Sequence, residues 1–169
     1  MKPPKQLSSE ELFSYAVKKL SGRAASVGEI RSALLARALH PEDVPGILDR
    51  LREYGYLNDA RFAESYTAAR LENEGFGKSR VLRDLQQRRI APELADQTVS
   101  QIYAGQDEIA LIEQFIRRKY KRSEGEILFQ TDNELASAYR RLVRAGFGPS
   151  NALRVLKRFA ANPDLLEEL

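Results

Sequence analysis

Residues 54–90 read YGYLNDARFAESYTAARLENEGFGKSRVLRDLQQRRI, and the fold is decided here. Asn58 is placed to cap a helix, because a short amide oxygen can accept the free N–H groups of a first turn. Phe62, Tyr66 and Ala69 then recur at helical spacing, with Ala63 and Leu71 beside them. Gly75 stands where a left-handed residue ends a helix, and Gly77 frees the backbone again around Phe76. A second helix follows, with Val81, Leu82 and Leu85 on one side and Lys78, Arg80, Arg83, Arg88 and Arg89 on the others. The stretch is two amphipathic helices around a glycine turn.

Working outward, the same punctuation returns. Ser8-x-x-Glu11, Ser26-x-x-Glu29 and Thr131-x-x-Glu134 are capping boxes, each pairing two otherwise unsatisfied N–H groups at a helix start. Pro41, Pro92 and Pro149 each follow a break and open a helix, where a missing N–H costs nothing. A leucine stands seven residues before each proline: Leu34, Leu85 and Leu142. Apolar residues recur three, seven and ten residues after it: Val44, Leu48, Leu51; Ala95, Val99, Ile102; Ala152, Leu156, Phe159. Helix ends are expected at Gly22, Gly55, Gly105 and Gly146. The spacing predicts an all-α fold, an elongated and curved array of three tandem three-helix repeats. The expected boundaries are a frayed arm at 1–7, repeats at 8–57, 58–106 and 107–160, and a tail at 161–169. A loop is expected over Ser123–Gln130. Units of this size bury little alone, so neighbours should pack in series.

The 169 residues contain no cysteine, which removes disulfides, zinc–thiolate sites, iron–sulfur clusters and thiol nucleophiles. The one histidine, His40, sits beside Pro41 and reads as a cap or surface residue. Carboxylates alone leave only magnesium-type sites, and neither a phosphate-binding loop nor a nucleophile elbow is present. Gly75-Phe76-Gly77 and Gly146-Phe147-Gly148 lie between helices and read as hinges. We therefore expect no enzyme, no cofactor and no metal. The N-terminus lacks the apolar run of an export signal, and no apolar stretch approaches the ~20 residues of a membrane span. A cytoplasmic monomer is expected.

The net charge is +3, and its distribution says more than its size. Residues 107–160 carry 11 basic and 7 acidic groups, and residues 135–160 carry six basic groups and no acid. Arg117-Arg118-Lys119-Tyr120-Lys121-Arg122 is a basic run. Arg80 and Arg83 share a helix face, as do Arg140, Arg141 and Arg144, and then Arg154, Lys157 and Arg158. With Arg88 and Arg89, and with Arg117, Arg118 and Lys119 of the basic run, these helix-face residues are the candidate contacts to an anionic partner, either DNA phosphate or an acidic protein surface. A charged helix face is also what solvation alone requires, and a purely structural helical adaptor fits the same pattern. Phe13, Phe62, Tyr66, Phe115, Tyr139 and Phe159 fall on apolar stripes. Tyr54, Tyr56, Phe76, Tyr120 and Phe147 lie at helix ends and hinges.

Gly55-Tyr56-Leu57-Asn58-Asp59-Ala60-Arg61-Phe62-Ala63, then Tyr66, Arg70, Gly75-Phe76-Gly77, Arg80, Leu85 and Ile90, resembles the RecX family of recombinase regulators. Leu20-x-x-Arg23-x-x-Ser26-x-x-Glu29-Ile30 is similar to that family's N-terminal repeat, and Leu142-x-x-x-Gly146-Phe147 to its C-terminal one. The likeness spans roughly residues 12–160. It implies a non-enzymatic protein that binds the RecA filament on DNA, lies in its groove, and suppresses recombinase, ATPase and coprotease functions. Some members also bind single- or double-stranded DNA. A DNA-binding protein acting without RecA is the alternative.

Overall fold

In the computed structural model, which describes residues 6–120 and 128–161, helices form where the caps are written. Ser26 Oγ accepts the Glu29 N–H at 3.0 Å, and the Glu29 carboxylate accepts the Ser26 N–H at 3.0 Å. The boxes at Ser8/Glu11 and Thr131/Glu134 close in the same way. The two backbone bonds to Glu134, from Gln130 and Thr131, hold its carboxyl below the usual carboxylate range. The described helices are α1 (Ser9–Gly22), α2 (Val27–Leu35), α3 (Val44–Glu53), α4 (Asp59–Ala69), α5 (Lys78–Gln87), α6 (Pro92–Tyr103), α7 (Glu108–Tyr120), α8 (Asp132–Arg144) and α9 (Pro149–Leu156). The described residues contain no strand, and their only extended pairings are two isolated parallel bridges, Leu7 with Ala38 and Phe129 with Ala160. The class is all-α.

Gly55, Gly75, Gly105 and Gly146 all adopt positive φ, so four of the five expected glycine turns or ends are left-handed, and Gly22 is simply the last residue of α1. Several details depart from the sequence reading. Ala69 is exposed, while Ala63 and Thr67 are buried, so the inner stripe of α4 runs one register over from Phe62, Tyr66 and Ala69. Phe62 and Tyr66 are half-buried, with the Arg88 and Arg70 guanidiniums over their rings at 5.8 and 4.8 Å. Helix α4 does not run unbroken to Gly75, because Arg70–Glu74 widens into one π turn. Pro41 opens a short 3₁₀ turn, Pro41–Asp43, ahead of α3, since Pro45 in the first turn of α3 has no N–H to give. Leu7 of the expected frayed arm is held by two backbone bonds, and residues 1–5, 121–127 and 162–169 lie outside the described residues.

The chain divides into two compact units that cut through α4, α5 and α6. The first is Met1–Ser65 with Asp84–Thr98, and the second is Tyr66–Arg83 with Val99–Leu169. In the first unit, α1 and α2 pack on α3 around Leu12, Ile30, Leu34, Ile47 and Leu51, all fully buried. In the second, α7 and α8 pack on α9 around Ile112, Ile116, Leu135, Leu142 and Leu156. Of the nine positions spaced from the three prolines, eight are buried, and Ile102 alone is half-buried.

Each unit contains a corresponding contact to a helix-end carbonyl, made by a side-chain hydroxyl in the first and by backbone N–H groups in the second. In the first, Ser26 Oγ, at the start of α2, donates to the carbonyl of Arg88 just past α5. In the second, the Gly77 N–H, at the start of α5, donates to the carbonyl of Ala145 just past α8 at 2.8 Å, and Ser79 N–H donates to Gly146 O at 3.2 Å. Ser26 and Gly77 each stand fifteen residues before their proline, and Arg88 and Ala145 each stand four before theirs. A carbonyl that leaves a helix without an intrahelical partner is thus satisfied by the start of an earlier helix. The two Gly-Phe-Gly motifs are therefore a close packing surface. A Cβ on Gly77 would come within 2.6 Å of Phe147 N, and one on Gly146 within 2.7 Å of Gly77 O.

Three outcomes follow for stability. Gly146→Ala places a side chain at φ 96° against backbone, and should cost about 2–5 kcal/mol in urea unfolding. Gly46→Ala, inside α3 with nothing within 4 Å of the new Cβ, should instead stabilise by about 0.5–1 kcal/mol. The Tyr103 hydroxyl donates to Phe76 O at 2.6 Å, and burial pushes it from its ordinary 10.0 up to about 12. The neutral phenol is the form the fold prefers. Its contribution is therefore complete below about pH 10 and lost as pH rises towards 12. The stability difference between the native chain and Tyr103→Phe should be flat below pH 10 and shrink above it; a flat difference to pH 12 would contradict this.

Candidate functional site

The structure sorts the candidate basic residues by what each side chain already holds. Arg88 pairs with Glu29 at 3.2 Å and covers Phe62, and Arg89, at φ 62°, donates to Ser32 Oγ. Both belong to the internal contact of the first unit. Arg117 and Arg158 reach the same carboxylate, Glu113, the former at 3.9 Å. Arg118 donates to Asn73 O at 2.7 Å and so pins the π turn. Arg80 lies over Phe76 at 5.2 Å, and Arg141 over Tyr120 at 5.6 Å. These residues stabilise helix packing within their units, and their charges are partly spent there.

Arg83, Arg140 and Arg144 are different. Arg83 Nη2 donates to Arg144 O at 3.4 Å, and its Nε donates to Ser79 O at 3.3 Å. Arg144 Nε donates to Arg140 O at 3.3 Å. All three side chains are exposed, and none has a carboxylate in ion-pair range among the described residues. Two of the guanidiniums are aimed by backbone carbonyls at the end of a helix, whose partial negative charge steadies a cation without neutralising it. A guanidinium has five N–H donors in a planar fork, and one or two used on carbonyls leave the rest for an incoming anion. Phosphate or carboxylate held in a forked, two-bond geometry is what this arrangement can bind. Exposed Lys119, Arg154 and Lys157 add positive charge to the second unit. Lys121 and Arg122 of the basic run lie outside the described residues.

The sequence separated Arg83 from Arg140 and Arg144 into two strips, and folding joins them across a gap of 61 residues. The paired Gly-Phe-Gly motifs were the available signal, because they bring the start of α5 onto the end of α8. Lys78, whose Nζ meets Ser100 Oγ at 3.0 Å, is a further exposed cation beside them. Among the described residues there is no cluster of three or more histidine, cysteine, aspartate or glutamate side chains able to hold a metal. No described helix is long and apolar enough to cross a membrane.

Residues 58–99 match the family model described as RecX, second three-helix domain. The chain is 31% identical to the regulatory protein RecX of Deinococcus radiodurans over 161 residues, covering 94% of this chain and 74% of the relative. It is 31% identical to that of Mycolicibacterium vanbaalenii over 160 residues, covering 90% and 84%. The crystal structure of RecX from Lactobacillus salivarius superposes with a TM-score of 0.65 over 89% of this chain and 96% of that one, at 17% identity. The expected fold class and the three-helix organisation are shared with it. On the extent and identity of these matches, the chain belongs to the RecX family of regulatory proteins.

Proposed function

We propose that this protein regulates a RecA-type recombinase by binding its DNA filament, most strongly as an inhibitor of recombinase, ATPase and coprotease activities. Membership of a regulatory family supports the role, and the Arg83, Arg140 and Arg144 set is the observation that carries the contact. Three exposed guanidiniums without carboxylate partners among the described residues suit a surface of acidic side chains or DNA phosphates. The proposed action needs no cofactor, metal or catalytic group, and takes place in the cytoplasm with one chain as the binding species. Arg154, Lys157 and Lys119 would add attraction at longer range, which speeds encounter more than it holds the complex.

A second reading, direct binding of DNA without RecA, draws on the same three side chains. It differs in its salt dependence, because each phosphate neutralised releases counterions and steepens the fall of affinity with salt. The two readings part in one experiment. Arg140→Glu with Arg144→Glu should weaken binding to a RecA–DNA filament about tenfold or more while the helical circular dichroism is unchanged. Arg88→Glu should act differently, lowering thermal stability by breaking the ion pair with Glu29 and setting a like charge against it, because that charge serves the fold. Unchanged filament affinity in the double variant would remove the assignment of this face. A loss seen equally on naked DNA and on filaments would favour the direct DNA reading.

A further inference from the structure

We infer, resting on the regulatory role proposed above, that a cavity beside the Gly-Phe-Gly pair is an anchor pocket for the partner protein. Its occupant is one large apolar side chain carried on an acidic segment. The cavity has a volume of about 250 Å³ and lies where the starts of α5 and α7 meet the end of α6. Buried Gly77 and Phe147 and half-buried Tyr103 and Leu111 wall it, so the interior is mainly carbon. Exposed Lys78 and Gln106 stand at its rim. Sites for small organic ligands run from about 300 to 1,000 Å³, so this space is below their range and suits a single side chain.

The cavity continues the cationic face. Three successive carbonyls at the end of α8 take donors from residues 77–83. Arg83 Nη2 donates to Arg144 O, the Gly77 N–H to Ala145 O, and the Ser79 N–H to Gly146 O. One seam therefore aims Arg83 and also sets Gly77 and Phe147 as cavity wall. Lys78 has no carboxylate in ion-pair range among the described residues, and only one of its three donors is used, on Ser100 Oγ at 3.0 Å. A carboxylate arriving at the rim meets an available cation.

A nucleobase is the other flat body that could enter. Its polar edges need partners once buried, and leaving them unpaired is costly. The half-buried polar groups of the cavity are already used. The Tyr103 hydroxyl donates to Phe76 O at 2.6 Å. Glu108 accepts from the Gly148 N–H at 2.9 Å through Oε1, and from Asn151 Nδ2 through Oε2. An aliphatic or aromatic side chain asks for no such partner. Acids flanking it on the same segment would pair with Lys78 and Arg83, giving a desolvated anchor ringed by polar contacts.

The test uses the full chain and three variants: Leu111→Gln makes the wall polar, Leu111→Phe fills the cavity, and Lys78→Glu reverses the rim charge. Affinity for a RecA–DNA filament and for naked single-stranded DNA is measured at one salt concentration, with circular dichroism and thermal melting to follow folding. The native chain should bind the filament. Both Leu111 variants should weaken that binding about tenfold and leave any affinity for naked DNA unchanged. Lys78→Glu should weaken filament binding as well. If Leu111→Gln fails to fold, Leu111→Phe, which keeps an apolar side chain against the core, decides. Unchanged filament affinity in the folded Leu111 variants would overturn the pocket and leave the regulatory role standing. Unchanged affinity in Lys78→Glu would overturn the acidic segment. An equal loss on naked DNA would put a base in the cavity and overturn the protein occupant. A native chain that binds no filament would overturn the role and the pocket together.

Discussion

The rest of the structure depends on one kind of contact, the docking of a helix start onto the unpartnered carbonyls at another helix's end. A helix leaves its last carbonyls without partners, and burying them unpaired costs roughly 1–3 kcal/mol each. Here the Arg88 carbonyl is taken by Ser26, and the Ala145 carbonyl by Gly77. The requirement explains residue choices that otherwise look unrelated. Gly28 must lack a side chain because its Cβ would fall 2.5 Å from Arg89 Cβ. Glycine is likewise needed at 77 and 146, where two backbones touch. Ser26 is fully buried because its hydroxyl closes the cap of α2 and reaches the neighbouring carbonyl together.

The same contact governs which cations remain available. Arg88 and Arg89 stand on the docked segment, so their side chains turn to Glu29 and Ser32. Arg83 lies one turn past the docked start of α5, and this brings it to the end of α8 beside Arg144. A stretch that looks largely basic in one dimension is therefore split in two. One part holds the fold, and another faces outward with donors to spare.

Much of the fold was legible because its signals are local. Capping boxes span three residues, helix-starting prolines need only their own ring, and left-handed ends favour glycine through φ alone. The π turn at Arg70–Glu74 was not legible, since the bond that holds it, from Arg118 to Asn73 O, comes from 45 residues away and leaves no mark on the periodicity. The candidate site was legible only in part. An arginine repeats at helical spacing whether it faces solvent or pairs, so nothing local told Arg158, tied to Glu113 across 45 residues, from Arg154 four residues before it. The family likeness named the partner class, and the geometry narrowed thirteen candidate cations to a set of three.

The central claim, a regulator that acts on the filament, is tested most directly by ATP hydrolysis of the cognate RecA on single-stranded DNA saturated with it. This protein is titrated in, and binding to naked DNA is measured alongside. The account predicts a fall in hydrolysis at substoichiometric protein, because a filament-bound regulator affects many RecA subunits while simple competition for DNA needs far more. Unchanged hydrolysis, together with tight and salt-sensitive binding to naked DNA, would contradict it.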